Sequence, residues 1–154
     1  MQVSARADYA LRAVAELALA RTEGKGPLKG DRISERQRIP KKFMENILLD
    51  LKHHGIVRTQ RGASGGYWLA RPAGEITLAD VIRAVEGPLA NIRGEWPEVV
   101  EYTGAAERLQ EVWIAVRASL RAVLETVTLE DLVEGNLPER VEQLTRDPEA
   151  WVHH

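Results

Sequence analysis

A short stretch of this 154-residue chain carries side chains suited to hydrogen bonding with nucleic-acid bases. Four polar residues lie at the start of an amphipathic segment: Lys41, Lys42, Glu45 and Asn46. An Asn amide can pair bidentately with adenine, and a Glu carboxylate can accept from the amine of cytosine. We therefore expect Asn46 and Glu45 to contact base edges, with Lys41 and Lys42 beside them. The alternative is that the two lysines are ordinary solvated surface.

A second stretch predicts a β-hairpin with a glycine-rich tip. The tip, residues 62–66, reads Gly-Ala-Ser-Gly-Gly, and glycine can adopt the positive φ angles that tight hairpin turns require. Arg58 and Arg61 place positive charge where such a tip would meet a phosphate backbone or a minor groove. Gln60 and Ser64 complete the polar surface of the hairpin that we expect to contact DNA.

Three helices are predicted to position these side chains. The first runs from about Ser4, its expected N-cap, to about Arg21. The second covers roughly residues 31–38, with Asp31 as its expected cap. Pro40 suits the first position of a third helix. A short helix, a tight turn and a following helix form the helix-turn-helix arrangement.

On the third helix, apolar residues recur at spacings of three and four and are predicted to face the core. They are Phe43, Ile47, Leu48 and Leu51. This arrangement leaves the N-terminal polar residues pointing outward, as in a helix that enters the major groove. With the hairpin acting as a wing, the predicted fold is mainly α with a small β-wing, a winged helix-turn-helix domain.

The charges divide the chain into two halves of opposite sign. Residues 1–72 hold 14 Lys and Arg against 7 Asp and Glu, a net charge of +7, whereas residues 73–154 hold 7 against 16, a net of −9. Ordinary solvated surface could produce a smaller imbalance. A split this large favours a half that binds a polyanion joined to a half that does not touch nucleic acid.

Several classes of protein are disfavoured by what the chain contains. It has no cysteine, hence no disulfide, and no apolar run approaches the roughly 20 residues that span a bilayer. We expect a cytoplasmic protein that does not contact membrane. An enzyme is not expected, because the sequence shows neither a convergent nucleophile nor a pair of carboxylates that could form an active site. The terminal His153 and His154 are either native or the remnant of a tag.

A long helix is predicted over residues 105–127, which contain neither Gly nor Pro. Its apolar stripe includes Leu109, Val112, Trp113, Val116, Leu120 and Val123. A small winged domain could not cover such a stripe, so we expect it to be the seam of a homodimer. Packing within its own chain against the first helix is the alternative. A dimer would hold two recognition helices about 34 Å apart and would bind a palindromic site.

Between the winged domain and this helix lies an acidic segment, residues 88–104, punctuated by Pro and Gly. It carries Trp96 and Tyr102. The segment either folds back as a passive lid or forms a binding surface for a small effector or a protein partner. The expected organisation is therefore a DNA-binding domain (1–87), this segment (88–104), a dimerisation helix (105–127) and a C-terminal short helix and tail (128–154).

An ordered set of segments resembles one known family. They are Met1-Gln2-Val3-Ser4, Tyr9-Ala10-Leu11-Arg12-Ala13, Ile33-Ser34-Glu35-Arg36-Gln37, Gly55-Ile56-Val57, Arg61-Gly62-Ala63-Ser64-Gly65-Gly66-Tyr67 and Ile76 to Gly87, with a weaker echo in Thr128-Leu129-Glu130-Asp131-Leu132. Together they resemble the Rrf2 family of bacterial transcription regulators. The resemblance implies a homodimeric, sequence-specific DNA-binding protein, most often a repressor. It also implies that Lys42, Phe43, Glu45 and Asn46 occupy base-contacting positions, and that Arg61 and Ser64 lie in the DNA-contacting wing.

The chain departs from the family in three places. Lys29 stands where the family often has a small hydroxyl residue at the start of the second helix. Arg38 stands where it often has a glycine in the turn before the third helix. Arg38 either puts the positive φ of that turn in doubt or adds a phosphate contact. Many family members ligate a [2Fe-2S] cluster with three cysteines in the segment that here spans 88–104. Without cysteine that cluster cannot form, so the expected cofactor is none. The resemblance to cluster-free members of the family implies a regulator of cysteine and sulfur metabolism that responds to a metabolite or to a partner enzyme.

Two alternatives to this reading stay open. One is an architectural protein that binds DNA without sequence preference. The other is a sensor of the same family that uses a non-cysteine metal site or a protein partner. Asp8 and the adjacent His53 and His54 are the tempting metal ligands, but neighbouring helical residues point about 100° apart, which makes the two histidines a poor chelating pair.

Overall fold

The protein is described by a computed structural model covering residues 1–154. Its helices are α1 (Ala5–Thr22), α2 (Gly30–Gln37), α3 (Lys41–His53), α4 (Leu78–Glu86), α5 (Leu109–Leu124), α6 (Leu129–Glu134) and α7 (Glu139–Arg146). The strands β1 (Val57–Gln60) and β2 (Gly66–Leu69) form one antiparallel pair, and short 3-10 turns lie at Ala73–Glu75, Gly104–Ala106 and Pro148–Trp151. The fold is mainly α with a small β-wing, as predicted. None of the helices combines the length and hydropathy needed to cross a bilayer.

The centre of the core is α1, which contacts α2, α3, α4, α6 and β2. Its N-cap is Ser4, as predicted, because the Ala7 N–H donates to Ser4 Oγ at 3.0 Å. Alanines at Ala10, Ala13 and Ala18 are fully buried. Side chains this small let the neighbouring helices approach α1 closely, and larger apolar groups from those helices fill the remaining space.

The helix-turn-helix is formed by α2, residues 38–40 and α3. Asp31 is not the cap of α2, contrary to the sequence prediction, because the N-cap lies two residues earlier, at Lys29. Asp31 lies in the first turn, where a carboxylate favours the helix dipole. Arg38 has a φ of +53° and its N–H donates to the Ser34 carbonyl. The turn therefore keeps its left-handed residue although that residue is an arginine.

The buried face of α3 differs from the predicted one at a single residue. Ile47, Leu48 and Leu51 are buried as predicted, but Phe43 is 39% exposed and Met44 takes its place in the core at 3%. Met44 precedes Ile47 and Leu48 by three and four residues, so it lies on the centre of the apolar stripe. Phe43 lies at the edge of that stripe and is free to pack on α1 instead.

The wing is anchored to the helical body by a third segment. Leu28 forms an isolated antiparallel bridge with Tyr67, in which the Tyr67 N–H donates to the Leu28 carbonyl at 2.7 Å. Glycine is required at the turn, because a Cβ on Gly65 would lie 2.2 Å from the Gln60 carbonyl oxygen and one on Gly66 2.5 Å from that of Leu28. These close approaches fix where the wing leaves the body.

The starts of α4 and α6 are built alike and pair with each other. Each start is a capping box. The threonine side chain accepts from the backbone N–H of the aspartate three residues later, and that aspartate's carboxylate accepts from the backbone N–H of the threonine; the pairs are Thr77 with Asp80 and Thr128 with Asp131. The Leu78 N–H donates to the Val127 carbonyl, and the Leu129 N–H to the Ile76 carbonyl, both at 2.9 Å. The two capping boxes thus lie side by side, joined by backbone hydrogen bonds.

Through this pairing α6 joins the winged domain. Leu129 is fully buried in the main hydrophobic core, and α6 contacts α1. The body that carries the DNA-binding elements therefore includes α6 as well as residues 1–87. Residues 88–127 leave this body and return to it.

The long helix is shorter than the predicted span of 105–127. The Gly104–Ala106 turn precedes it, and residues after Leu124 leave the helix to make the bridge to α4. At 16 residues α5 is about 24 Å long. No residue of α5 is buried. At the C-terminus, α7 and the Pro148–Trp151 turn pack on each other and are exposed elsewhere.

Candidate nucleic-acid interface

The outward surface of α3 presents the four polar residues that the sequence singled out. Lys41, Lys42, Glu45 and Asn46 are all exposed. Lys41 Nζ lies 3.6 Å from Asp31 Oδ1, but both side chains are more than two-thirds exposed, and ion pairs this open hold little energy. The structure thus brings the four together on one face, at the end of the helix that enters a major groove in helix-turn-helix proteins.

An aromatic stack fixes the first turn of α3 against α1. The rings of Tyr9 and Phe43 lie 5.7 Å apart at 47°. Lys42 Nζ lies 4.9 Å above the Phe43 ring, and the Arg12 guanidinium 5.0 Å above that of Tyr9. Phe43 contacts Tyr9 and Lys42 and still has 39% of its surface exposed. An apolar edge beside polar base-contacting groups can meet a thymine methyl.

Two contacts that sequence reasoning missed hold α2 to α1. Arg12 donates to the Gln37 carbonyl at 2.7 Å, at the end of α2. The carboxylate of Glu16, 9% exposed, accepts from Gln37 Nε2 at 2.6 Å and from Arg36 Nη1 at 3.2 Å. The sequence contained one signal of this contact: Glu16 is a charged residue on the apolar face of an alanine-rich helix, and a charged residue there usually has a partner. These bonds set the angle at which the helix-turn-helix meets the body.

Two polar side chains of the wing, Arg58 and Gln60, are held by contacts with Trp68. The Arg58 guanidinium lies 5.8 Å from the Trp68 ring centroid, and Trp68 Nε1 donates to Gln60 Oε1 at 3.1 Å. Gln60 is therefore bound within the wing through its oxygen, which leaves its amide N–H groups for other partners. Arg61 and Ser64 are exposed at the tip. The wing thus adds exposed cationic surface to the basic half of the chain.

The predicted dimer stripe lies on a helix that packs only lightly on its own chain. Val112 is 50% exposed, and Leu109, Trp113, Val116, Leu120 and Val123 are half-buried. Three of them, Trp113, Val116 and Leu120, line an apolar cavity of about 550 Å³ bounded on the other side by the N-terminal residues 1–3 and Ala7 of α1. The body leaves much of this stripe without a partner.

The two predicted effector residues lie in different surroundings. Tyr102 is half-buried, and its hydroxyl accepts from Trp113 Nε1 at 3.0 Å. Trp96 is 53% exposed and lines a separate cleft. Between them, Gln110 of α5 donates to the carbonyls of Pro97, Glu98 and Val100 at 2.9–3.2 Å. The segment 88–104 is therefore fastened to α5, and it does not bring Trp96 and Tyr102 into one site.

An exposed polar face on the second helix of a helix-turn-helix, followed by a basic wing, defines a winged helix-turn-helix DNA-binding protein. A family model described as "Rrf2: Iron-dependent Transcriptional regulator" matches residues 3–135. The chain belongs to this family of transcriptional regulators.

Relatives share both sequence and fold with the chain. The protein Rv1287 of Mycobacterium tuberculosis is 45% identical over 150 residues, which cover 97% of this chain and 92% of the relative. The HTH-type transcriptional regulator CymR of Bacillus subtilis is 35% identical over 132 residues, covering 86% and 89%. The solved structure of CymR, named there as the global cysteine regulator of B. subtilis, aligns with a TM-score of 0.73 over 88% of this chain and 98% of that one, at 33% identity. The T. potens IscR structure aligns at 0.68 over 100% and 93%, with 28% identity.

The residues of this chain do not form a binding site for the iron cofactor that the family description implies. There is no cysteine, and no group of three or more His, Cys, Asp or Glu is placed to hold a metal ion. Asp8 pairs with Arg12 at 3.0 Å. His53 and His54 are exposed at the far end of α3, where His54 Nδ1 lies 2.9 Å from the Asp50 carbonyl oxygen. The three candidate ligands therefore do not converge.

Proposed function

We propose that the protein is a homodimeric, sequence-specific repressor that binds a palindromic operator and acts without an iron–sulfur cluster. The observation that carries this proposal is the exposed polar face of α3, a helix that packs on α1 partly through the tilted Tyr9–Phe43 ring pair. A helix held in place by the body loses little backbone freedom on binding, and its polar side chains can reach base edges as well as phosphates. Occupation of a promoter by the dimer would then block transcription.

The two DNA-contacting elements divide the work in this proposal. Glu45 and Asn46 contact base edges from α3, with Lys41, Lys42 and Phe43 around them. Arg58, Arg61 and Ser64 in the wing contact backbone or minor groove, and contribute mainly affinity. This division follows from chemistry, since bidentate amide and carboxylate contacts distinguish bases whereas exposed arginines neutralise phosphate.

Substitution of each element tests the division. Asn46→Ala or Glu45→Ala is expected to relax discrimination at one base pair per half-site by about 1–3 kcal/mol, whereas Arg61→Ala is expected to weaken all sequences and reduce the salt slope by about one. Fluorescence anisotropy with operator, mutated-operator and random duplexes measures both effects. Gln143→Ala, an exposed amide on α7, is the control. Equal losses on operator and random DNA for the α3 variants would favour an architectural DNA-binding protein instead.

The homodimer is proposed to form along α5. The support is that no residue of this apolar helix is buried by its own chain. Replacing Val116 and Leu120 together with Glu would place charges in a desolvated seam, at a penalty of several kcal/mol. We expect monomers by light scattering and a loss of operator affinity. Leu144→Glu, which charges a more exposed leucine on α7, outside the proposed seam, is the control. A double variant that stays dimeric would place the seam elsewhere.

Regulation of cysteine or sulfur metabolism is the proposed role. Its support is the similarity to CymR, whose structure is titled as that of a global cysteine regulator. Footprinting upstream of the protein's own gene, followed by transcript profiling of a deletion strain with and without cysteine, tests this assignment. The segment 88–104, with exposed Trp96, is proposed to receive the signal, either a small effector or a partner enzyme.

Anaerobic reconstitution with iron and sulfide tests the cluster-free mechanism. A stable visible chromophore that altered DNA affinity would overturn the cluster-free mechanism.

A further inference from the structure

A cleft of about 470 Å³ lies where α4, the segment 88–98 and α5 meet. Three arginines line it: Arg83 from α4, and Arg117 and Arg121 from α5. Trp96 and Leu89 form an apolar wall. We call this site the arginine cleft. Its volume is within the range of small-molecule sites in proteins.

The charges in the arginine cleft do not cancel. Oε1 of Glu125 accepts from both Arg83 Nη2 and Arg121 Nε, the latter at 3.0 Å. Arg117 Nη1 donates to Glu98 Oε2 at 2.6 Å. Three guanidinium groups thus face two carboxylates, which leaves one positive charge in excess. Arg121, which shares Glu125 with Arg83 and is the more exposed of the two at 54%, can donate to a further group.

Both carboxylates remain ionised near neutral pH, so the excess is one charge and not more. The hydrogen bond from its own backbone N–H, and then that from Arg117, hold the pKa of Glu98 below its ordinary value. Hydrogen bonds from Arg83 and then Arg121 do the same to the pKa of Glu125. The three arginines of the cleft and their two carboxylate partners therefore carry a net charge of +1 near neutral pH.

We propose that the arginine cleft binds a small organic carboxylate that carries a flat apolar group. The single excess charge matches a monoanion, and a phosphate dianion would overcompensate it. Guanidinium groups bind carboxylates through paired hydrogen bonds, and an apolar plane can stack on Trp96. The larger apolar cavity is not the site, since its α5 residues are those proposed to form the dimer seam.

The position of the cleft suits a regulatory ligand, and this step rests on the proposed function. The Glu125 carboxylate joins α5 to α4 through Arg83. A ligand carboxylate that takes hydrogen bonds from Arg121 and Arg83 competes with Glu125. Binding would then change how α5 is held against the winged body, and operator affinity would shift by the difference in ligand affinity for the two arrangements.

The test uses the full chain and three probes: benzoate, its neutral counterpart benzamide, and inorganic phosphate. We expect benzoate to shift the Trp96 indole resonance in NMR spectra, with saturation below about 10 mM, the weak end of fragment binding. Benzamide and phosphate should not give saturable shifts there. Arg121→Gln should weaken benzoate binding about tenfold or more. Arg140→Gln, an exposed arginine on α7, is the matched control and should bind as the wild type.

The outcomes separate this inference from the proposed function. Saturable phosphate binding without benzoate binding would overturn the carboxylate assignment. Benzoate binding that is unchanged in Arg121→Gln would overturn the site. Operator binding without ligand is measured in the same samples. A protein that binds operator but not benzoate refutes the cleft alone, whereas one that binds benzoate through Arg121 but no operator refutes the DNA-binding proposal alone.

Discussion

Replacing Leu129 with alanine is expected to destabilise the DNA-binding domain, although Leu129 lies 60 residues beyond the wing. Its side chain is fully buried among core residues. Removing a buried leucine side chain beyond Cβ costs about 2–5 kcal/mol in lost transfer energy and cavity formation. We expect a loss in the upper half of that range, because the backbone hydrogen bond from Leu129 to the Ile76 carbonyl holds α6 in place and keeps it from collapsing into the space.

Leu132→Ala is the matched control, since it changes the same helix by the same atoms. Leu132 is 39% exposed, so its loss is expected to be about 1 kcal/mol or less. Urea unfolding followed by circular dichroism gives both values. A lower midpoint with an unchanged slope indicates a change in stability alone. Measurements at two protein concentrations separate folding from association.

The reasoning about α6 would be refuted by equal, small losses in the two variants. Such a result would mean that α6 does not contribute to the core in solution. A large loss for Leu129→Ala accompanied by weaker operator binding at a temperature where the variant is still folded would show that α6 also affects the geometry of the DNA-binding surface.

Three further predictions follow from the same structure. Gly65→Ala is expected to weaken binding to every DNA sequence, because its Cβ would lie 2.2 Å from a wing carbonyl; anisotropy on random duplexes measures this. Truncation after Gly135 should leave the thermal midpoint within a few degrees of the full chain, whereas truncation after residue 127 should unfold the domain, as read by calorimetry. The Glu125 link between α4 and α5 should persist above pH 4.5, its ordinary pKa, and be lost as the pH falls through its lower folded pKa. An NMR titration of Glu125 tests this, and Arg83→Gln should raise that pKa.

The DNA-binding elements could be predicted because their signals are local. The core face of α3 follows from apolar residues three and four apart, and the wing from glycines between two short runs of strand-forming residues. Phe43 was misassigned because spacing alone does not separate the edge of a stripe from its centre. The partner that holds it, Tyr9, is 34 residues away in the sequence.

Features that depend on distant segments could not be predicted. Leu129 lies in the core only because the chain returns to α4 after α5. The residues around Leu129 do not indicate this return. Arg38 has a positive φ, which glycine adopts more readily than other residues. The residue type therefore gave no indication of this conformation, which the surrounding fold imposes. The arginine cleft is assembled from α4, α5 and the segment between them, and each of its arginines alone is an ordinary surface residue.

The bridge between the starts of α4 and α6 makes the intervening chain an insertion. The chain leaves the winged body after α4 and re-enters it beside the first residue of the same helix. Exit and re-entry are therefore separated by the length of a nine-residue helix, about 14 Å. A segment whose two ends return to one rigid body can be exchanged or lengthened without moving α3 or the wing. Within one protomer, the geometry of the DNA-contacting surface is therefore independent of the length and composition of this segment.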